Sequence, residues 1–199
     1  MDDNDLWKYS DEHVTYEVER FFWLTELLTD PSMPLSLASA EDTLRLYHAL
    51  IEAFALHLRN LIEFLYPKKP RDSDIYAARF CAPGVWEQEG GAITKTLWDA
   101  RERASKEIAH LTDKRIYGYQ PAKEWPFKKL ADEIRPITEL LSAKALPSRL
   151  SPKVVRAIDI KPEKMSANKL PGIGPMPGPS PERPTGGMTG PLAPSGRKR

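Results

Sequence analysis

Cysteine is almost missing from this chain. Cys81 is the only one in 199 residues, so an internal disulfide and any cysteine-built metal site are excluded, which suits a reducing compartment. Histidine is sparse as well. The four, at 13, 48, 57 and 110, show neither zinc-ligand spacing nor an HExxH pair, and no metal or cofactor is expected. Long apolar runs are lacking too. The best candidate, "HALIEAFALHLRNLIEFLY", is interrupted by His48, Glu52, His57, Arg59 and Glu63, at a spacing that makes an amphipathic helix rather than a membrane span. The first ten residues, "MDDNDLWKYS", are acidic and carry no apolar core, which predicts no secretory signal and a cytoplasmic protein.

From Ser151 onward there is no aromatic residue, while ten of the nineteen prolines and seven of the eleven glycines lie there. A segment of that composition buries too little apolar surface to offset its chain entropy. The organisation expected is a flexible acidic N-terminus over 1–9, a folded domain over 10–147, and a disordered basic tail over 148–199. Residues 151–199 hold nine Lys or Arg against three Asp or Glu, a net +6, which leaves −5 of the chain's total of +1 for residues 1–150. Acid is concentrated at the start, with eleven Asp or Glu and two Lys or Arg in the first 43 residues. A broad basic face for nucleic acid is therefore excluded, and any RNA contact must come from a local patch.

What is present is helical periodicity. Val14, Val18, Phe21, Phe22, Leu24 and Leu28 fall on one side of a helix over about 11–29, with Ser10 as its cap. "DPSMPLS" ends it, because two prolines in seven residues cannot continue a helix. A longer helix over 40–66 follows, with Ser39 as N-cap and Asp42 three residues on. Its stripe of Leu44, Tyr47, Leu50, Ile51, Phe54, Leu58, Leu61, Ile62 and Leu65 is wide enough for a central helix. A short helix is expected in "DIYAARFCA", capped from Asp72, Ser73 or Asp74. A third long helix is expected over 92–111. A fourth begins near Pro126 and turns Leu130, Ile134, Ile137 and Leu141 inward, with a kink at Pro136. No alternating β-branched run calls for a strand. The fold class expected is all-α, a four-to-five-helix bundle.

Two polar patches stand out. On the third helix, Arg103 and His110 lie roughly 110° from the centre of the apolar stripe and within about 20° of each other, separated by about 10 Å along the axis, with Lys106 close to the same line. The plain reading is a cation near a helix C-terminus and an exposed Arg103–Glu107 pair. On the second helix, Arg59 and Asn60 sit beside the stripe, with Glu63 one turn after Arg59. Asn is mildly unfavourable inside a helix, because its side chain competes with the backbone. The plain reading there is an Arg59–Glu63 pair with Asn60 touching a loop. "DSD" at 72–74 reads as a helix cap, and "GIGPMPG" follows no strand, so neither marks a metal or phosphate site.

Three blocks, "ALHLRNLIEFLYP" at 55–67, "DIYAARFCAPGVWE" at 74–87 and "RERASKEIAHLTDKR" at 101–115, resemble bacterial helical proteins of the HEPN superfamily. The resemblance covers about residues 40–135. That superfamily's signature is an Arg separated by four to six residues from a His, and Arg103 and His110 have six between them. The resemblance implies a metal-independent RNase site assembled in a homodimer, in a toxin or phage-defence setting. It casts His110 as general acid or base and Arg103 as the group stabilising phosphate charge. Arg59, Asn60, Lys106 and Arg115 are the substrate-binding candidates, and Arg59 is the alternative partner for His110. The chain departs from the pattern at Ala104, where active members often carry a polar residue directly after the motif Arg. Many members are non-catalytic, so the second expectation is a helical module that dimerises or binds a protein partner, with the tail ending "SGRKR" as a tether.

Overall fold

The computed structural model describes residues 1–30, 39–109 and 124–158, all within the unit Met1–Glu163. The chain is all-helical, and among the described residues there is no strand, only an isolated antiparallel bridge between Cys81 and Ala145. No described helix is long and apolar enough to cross a membrane. From Asp159 onward the expected tail lies outside the described residues.

The acidic start is a helix, not a flexible lead. Helix α1, Asp3–Tyr9, opens on a capping box in which Asp2 accepts the Asp5 amide at 2.8 Å and the Asp5 carboxylate takes the Asp2 amide in return. Acidic residues in a first turn also suit the positive end of the helix dipole. Leu6 is buried, and Asp3 holds the Arg149 guanidinium at 2.7 Å and the Ser148 hydroxyl at 2.9 Å. The same rod continues through a π turn, Ser10–Val14, into α2, Thr15–Thr29. Ser10 is therefore not a cap. Fully buried, its hydroxyl donates to the Trp7 carbonyl and accepts the Ser151 amide at 2.8 Å.

Helix α3, Ala40–Leu65, starts as expected, with Ser39 accepting the Asp42 amide. Its inner half buries Phe54, Leu58, Leu61, Ile62 and Leu65, whereas Leu44 is 53% and Tyr47 36% exposed. The stripe is thus wider than the core it meets. Helix α3 touches more than one neighbour, as its broad stripe implies, and α2 packs against α3 and two C-terminal helices. In place of one short helix over 74–82 the chain forms a 3₁₀ turn, Ala77–Phe80, and α4, Val85–Glu89. The Asp74 carboxylate accepts the Arg71 amide of its own turn, so no side chain of "DSD" caps a helix. Trp86 anchors α4 to the end of α3 through its indole N–H, which donates to the Leu65 carbonyl at 3.0 Å. Gly90 lies so close beneath that ring that a Cβ would stand 2.6 Å from the Trp86 carbonyl.

Helix α5, Lys95–Arg103, is capped by Thr94 and runs on as π turns over Ala104–Ala109. Helix α6, Phe127–Lys144, buries Leu130, Ile134 and Leu141, leaves Ile137 half-buried, and continues past Pro136. Helix α7, Pro152–Ile158, closes the fold with Val154, Ala157 and Ile158 buried. The domain therefore extends beyond residue 147, because this short apolar face has a place against α2 and α6.

Candidate functional site

A cavity of about 1030 Å³ forms an open cleft floored by α2 and α3 and closed on one side by α5 and the loop over 67–76. The π turn contributes to it directly. His13 within the turn and Tyr9 just before it both line the cleft, their rings 4.7 Å apart; single π turns recur at functional positions. One turn later Glu17 faces α3.

Glu17 organises the first polar cluster. Its Oε2 lies 2.8 Å from His57 Nδ1, and its Oε1 accepts the Asn60 amide at 3.2 Å. The His57 side chain is only 11% exposed and meets the Tyr16 ring edge-on. Asn60 is thus explained by a bond across to α2 rather than to a loop. Burial, with a smaller push from Glu17, raises the Tyr9 phenol above its ordinary value.

The second cluster is cationic. Arg59 of α3 and Arg101 of α5 converge on one oxygen of Glu63, with Arg59 Nε at 3.3 Å and Arg101 Nη2 at 3.1 Å. The Arg59 contact lacks hydrogen-bond alignment, so its buried Nε–H has no partner among the described residues, and neither has Arg101 Nε–H. An unpaired buried N–H costs about 1–3 kcal/mol, and such a group asks for an explanation. Arg101 also donates to Glu102 at 3.0 Å and lies over the Trp98 ring. Glu102 is held by Lys106 at 2.9 Å, and that ammonium keeps its carboxyl below the usual range against the opposing effect of burial. Lys68, Lys69 and Arg71 line the cleft from the loop, against Glu17, Glu63 and Asp74, and with Arg59 and Arg101 the Lys and Arg of the lining outnumber its Asp and Glu by five to three.

The sequence-derived candidates are distributed as follows. Arg59 and Asn60 share the cleft, and the Arg59–Glu63 pair forms. Arg103 does not join them. It lines a second cavity of about 350 Å³, with its guanidinium 4.3 Å from the Trp125 ring centroid and donating to the Glu124 carbonyl at 3.0 Å. Lys106 is bound to Glu102. His110 and Arg115 lie outside the described residues. The helix that carries Arg103 departs from a uniform 100° wheel before it reaches the end of the described residues. From Ala104 the backbone bonds i→i+5, and each residue turns through a smaller angle.

Glu17 and His57 join the site without a sequence signal of their own, whereas Arg101 belongs to the basic run from 101 to 115 that offers a local patch for RNA. Arg59 and Glu63 at i, i+4 were a legible signal. The meeting of Arg59 with Arg101 depends on how α5 docks on α3, which no local spacing encodes. Cys81 adds no chemistry here: it is buried, and burial pushes its thiol up, with Glu87 reinforcing the shift. Among the described residues no group of His, Cys, Asp and Glu is placed to hold a metal ion.

Fold and site together define an all-α helical domain with a cation-lined surface cleft. Searches of protein families, of curated proteins and of solved structures find no match to this chain.

Proposed function

We propose that this chain is an HEPN-like RNA-binding domain that cleaves RNA without a metal ion. The observation that carries the binding half is the convergence of Arg59 and Arg101, from two helices, in a cleft with Asn60 and a basic loop. Guanidinium forks match phosphate oxygens bidentately, and a cleft concentrates such a field where a flat acidic surface would repel RNA. The cleavage half rests on the resemblance and on His110. As a base, its imidazole takes the 2′-hydroxyl proton while that oxygen attacks phosphorus. As an acid, it protonates the departing 5′-oxygen. A guanidinium from Arg103 or Arg59 offsets the charge gained at phosphorus.

The test is cleavage of a mixed RNA pool in EDTA at low salt, by wild type and His110→Ala, with circular dichroism of both. Cleavage by wild type, reduced at least about 100-fold in the variant, is expected of a general acid or base. Binding should weaken with salt, by a log–log slope of about −0.7 per phosphate contact on single strands. A folded wild type that neither binds nor cleaves RNA sinks this reading. The reading that then leads is a non-catalytic module that dimerises or holds a protein partner, favoured by the apolar side chains Leu44 and Tyr47 that α3 leaves exposed.

A further inference from the structure

We propose that the Arg59–Arg101 pair recognises the terminal phosphomonoester of an RNA strand, and that Glu63 is the internal carboxylate this phosphate displaces. The inference rests on the RNA-binding reading above for its ligand and adds which phosphate the cleft selects.

The geometry at Glu63 carries it. One carboxylate oxygen sits between two guanidinium groups from different helices, 3.3 Å from Arg59 Nε and 3.1 Å from Arg101 Nη2. It satisfies them poorly. The Nε–H of each arginine is buried without a hydrogen-bond partner among the described residues. Glu63 is the ionic partner of Arg59, whose side chain is 28% exposed. A planar carboxylate offers two oxygens in one plane, whereas a phosphate offers three at tetrahedral angles and can serve both forks together. Glu63 therefore holds the place of an anion without satisfying every donor of the two guanidinium groups.

Charge decides which phosphate. Arg59, Arg101 and Glu63 sum to +1, and when Glu63 turns out the two guanidinium groups present +2. Glu102, the other acid on Arg101, is already matched by Lys106. The remaining carboxylates of the cleft are engaged: Glu17 by His57 and Asn60, Asp74 by the Arg71 amide. An internal phosphodiester carries one negative charge and would exchange one monoanion for another. A phosphomonoester carries about −1.5 to −2 near neutral pH and matches both guanidinium groups. Lys68, Lys69 and Arg71, which line the same cleft, give the following backbone phosphates somewhere to run.

The experiment is fluorescence anisotropy in EDTA at low salt, using a short 2′-O-methylated RNA that cannot be cleaved through its 2′-oxygen. It is prepared with a 5′-phosphate, with a 3′-phosphate, or with hydroxyls at both ends. Wild type should bind one of the two phosphorylated forms about tenfold or more tighter than the hydroxyl form, as expected for a charge-assisted fork contact. Which end is favoured identifies the source. Arg101→Ala should erase that preference. Glu63→Gln, which keeps the shape but removes the competing charge, should tighten the phosphorylated RNA several-fold, a gain that misfolding cannot produce. Equal affinity for all three RNAs overturns the proposal, as does an end preference that survives in Arg101→Ala. End selection by a protein that shows no cleavage upholds this site while the RNase reading fails. Cleavage without end selection does the reverse.

Discussion

A single carboxylate, Glu17, ties two side chains of α3 to α2. His57 and Asn60 lie one turn apart on their helix, so both reach the same group, one on each oxygen. Removing that group leaves an imidazole nitrogen and an amide N–H in a partly buried interface with nothing to bond. Glu17→Ala is expected to cost about 1–3 kcal/mol, read as a lower urea midpoint. Glu17→Gln should fall between the two, since its amide oxygen still accepts from Asn60. An alanine variant that unfolds at the wild-type midpoint would show the cluster to be ornamental to stability. At this scale the sequence was informative about Asn60, whose place inside a helix signalled a partner. It was silent about the partner's identity, because Glu17 and Asn60 are 43 positions apart.

Among elements, the ends of the domain are joined by ion pairs. Asp3 of α1 binds Arg149 and Ser148, while Asp11 in the π turn binds Ser151 and Lys153 at the start of α7. The Arg149 bond, then the Ser148 bond, hold the Asp3 carboxyl below its ordinary value of 3.8, and Lys153 followed by Ser151 does the same for Asp11. A lowered folded pKa means that the unfolded chain takes the proton first. The contribution is therefore whole above about pH 4 and drains as pH falls through the lowered folded values. Asp3→Asn should lower the urea midpoint at pH 7, and the gap from wild type should close as the pH is taken below 4. A gap that stays constant over that range would mean the Asp3 charge plays no part. Both acids sit on the surface, so the effect is modest and shrinks in salt. The acidic start reads as a flexible lead when only composition is weighed. Position reverses that reading, because Asp2 and Asp5 stand where a capping box needs them.

For the whole molecule, the boundary of the folded unit is the property most open to test. Val154, Ala157 and Ile158 are almost fully buried against α2 and α6. Burying a Val or Ile side chain is worth about 1.5–3 kcal/mol, so α7 supplies a sizeable part of a stability of about 5–15 kcal/mol. A chain ending at residue 147 should melt many degrees below one ending at residue 158. Coincident melting curves would place α7 outside the cooperative unit. Proline and glycine content marked the change of composition near residue 150 but not its limit, since the first prolines of that region, at 152 and 162, leave room for two helical turns between them. Pro152 also serves well at a helix start, where its missing N–H is not needed.

What the sequence determined by itself is whatever repeats at short range. Period-3.6 apolar stripes, Ser39 with Asp42, and proline stops define an all-α chain and place the long helices α2, α3 and α6 to within a few residues. Tertiary structure alone decided three further things. It set how far the α3 stripe is buried, because burial depends on which faces find partners; Leu44 and Tyr47 continue a stripe that no described residue covers. It inserted π turns at Ser10–Val14 and Ala104–Ala109, where each residue turns through a smaller angle than on an α-helical wheel. It also brought Arg101, not Arg103, to Arg59. Two residues along a helix is a rotation of about 200°, enough to place one arginine in the cleft and the other against Trp125. Helix docking sets that choice, and docking is a property of surfaces that meet only after the chain has folded.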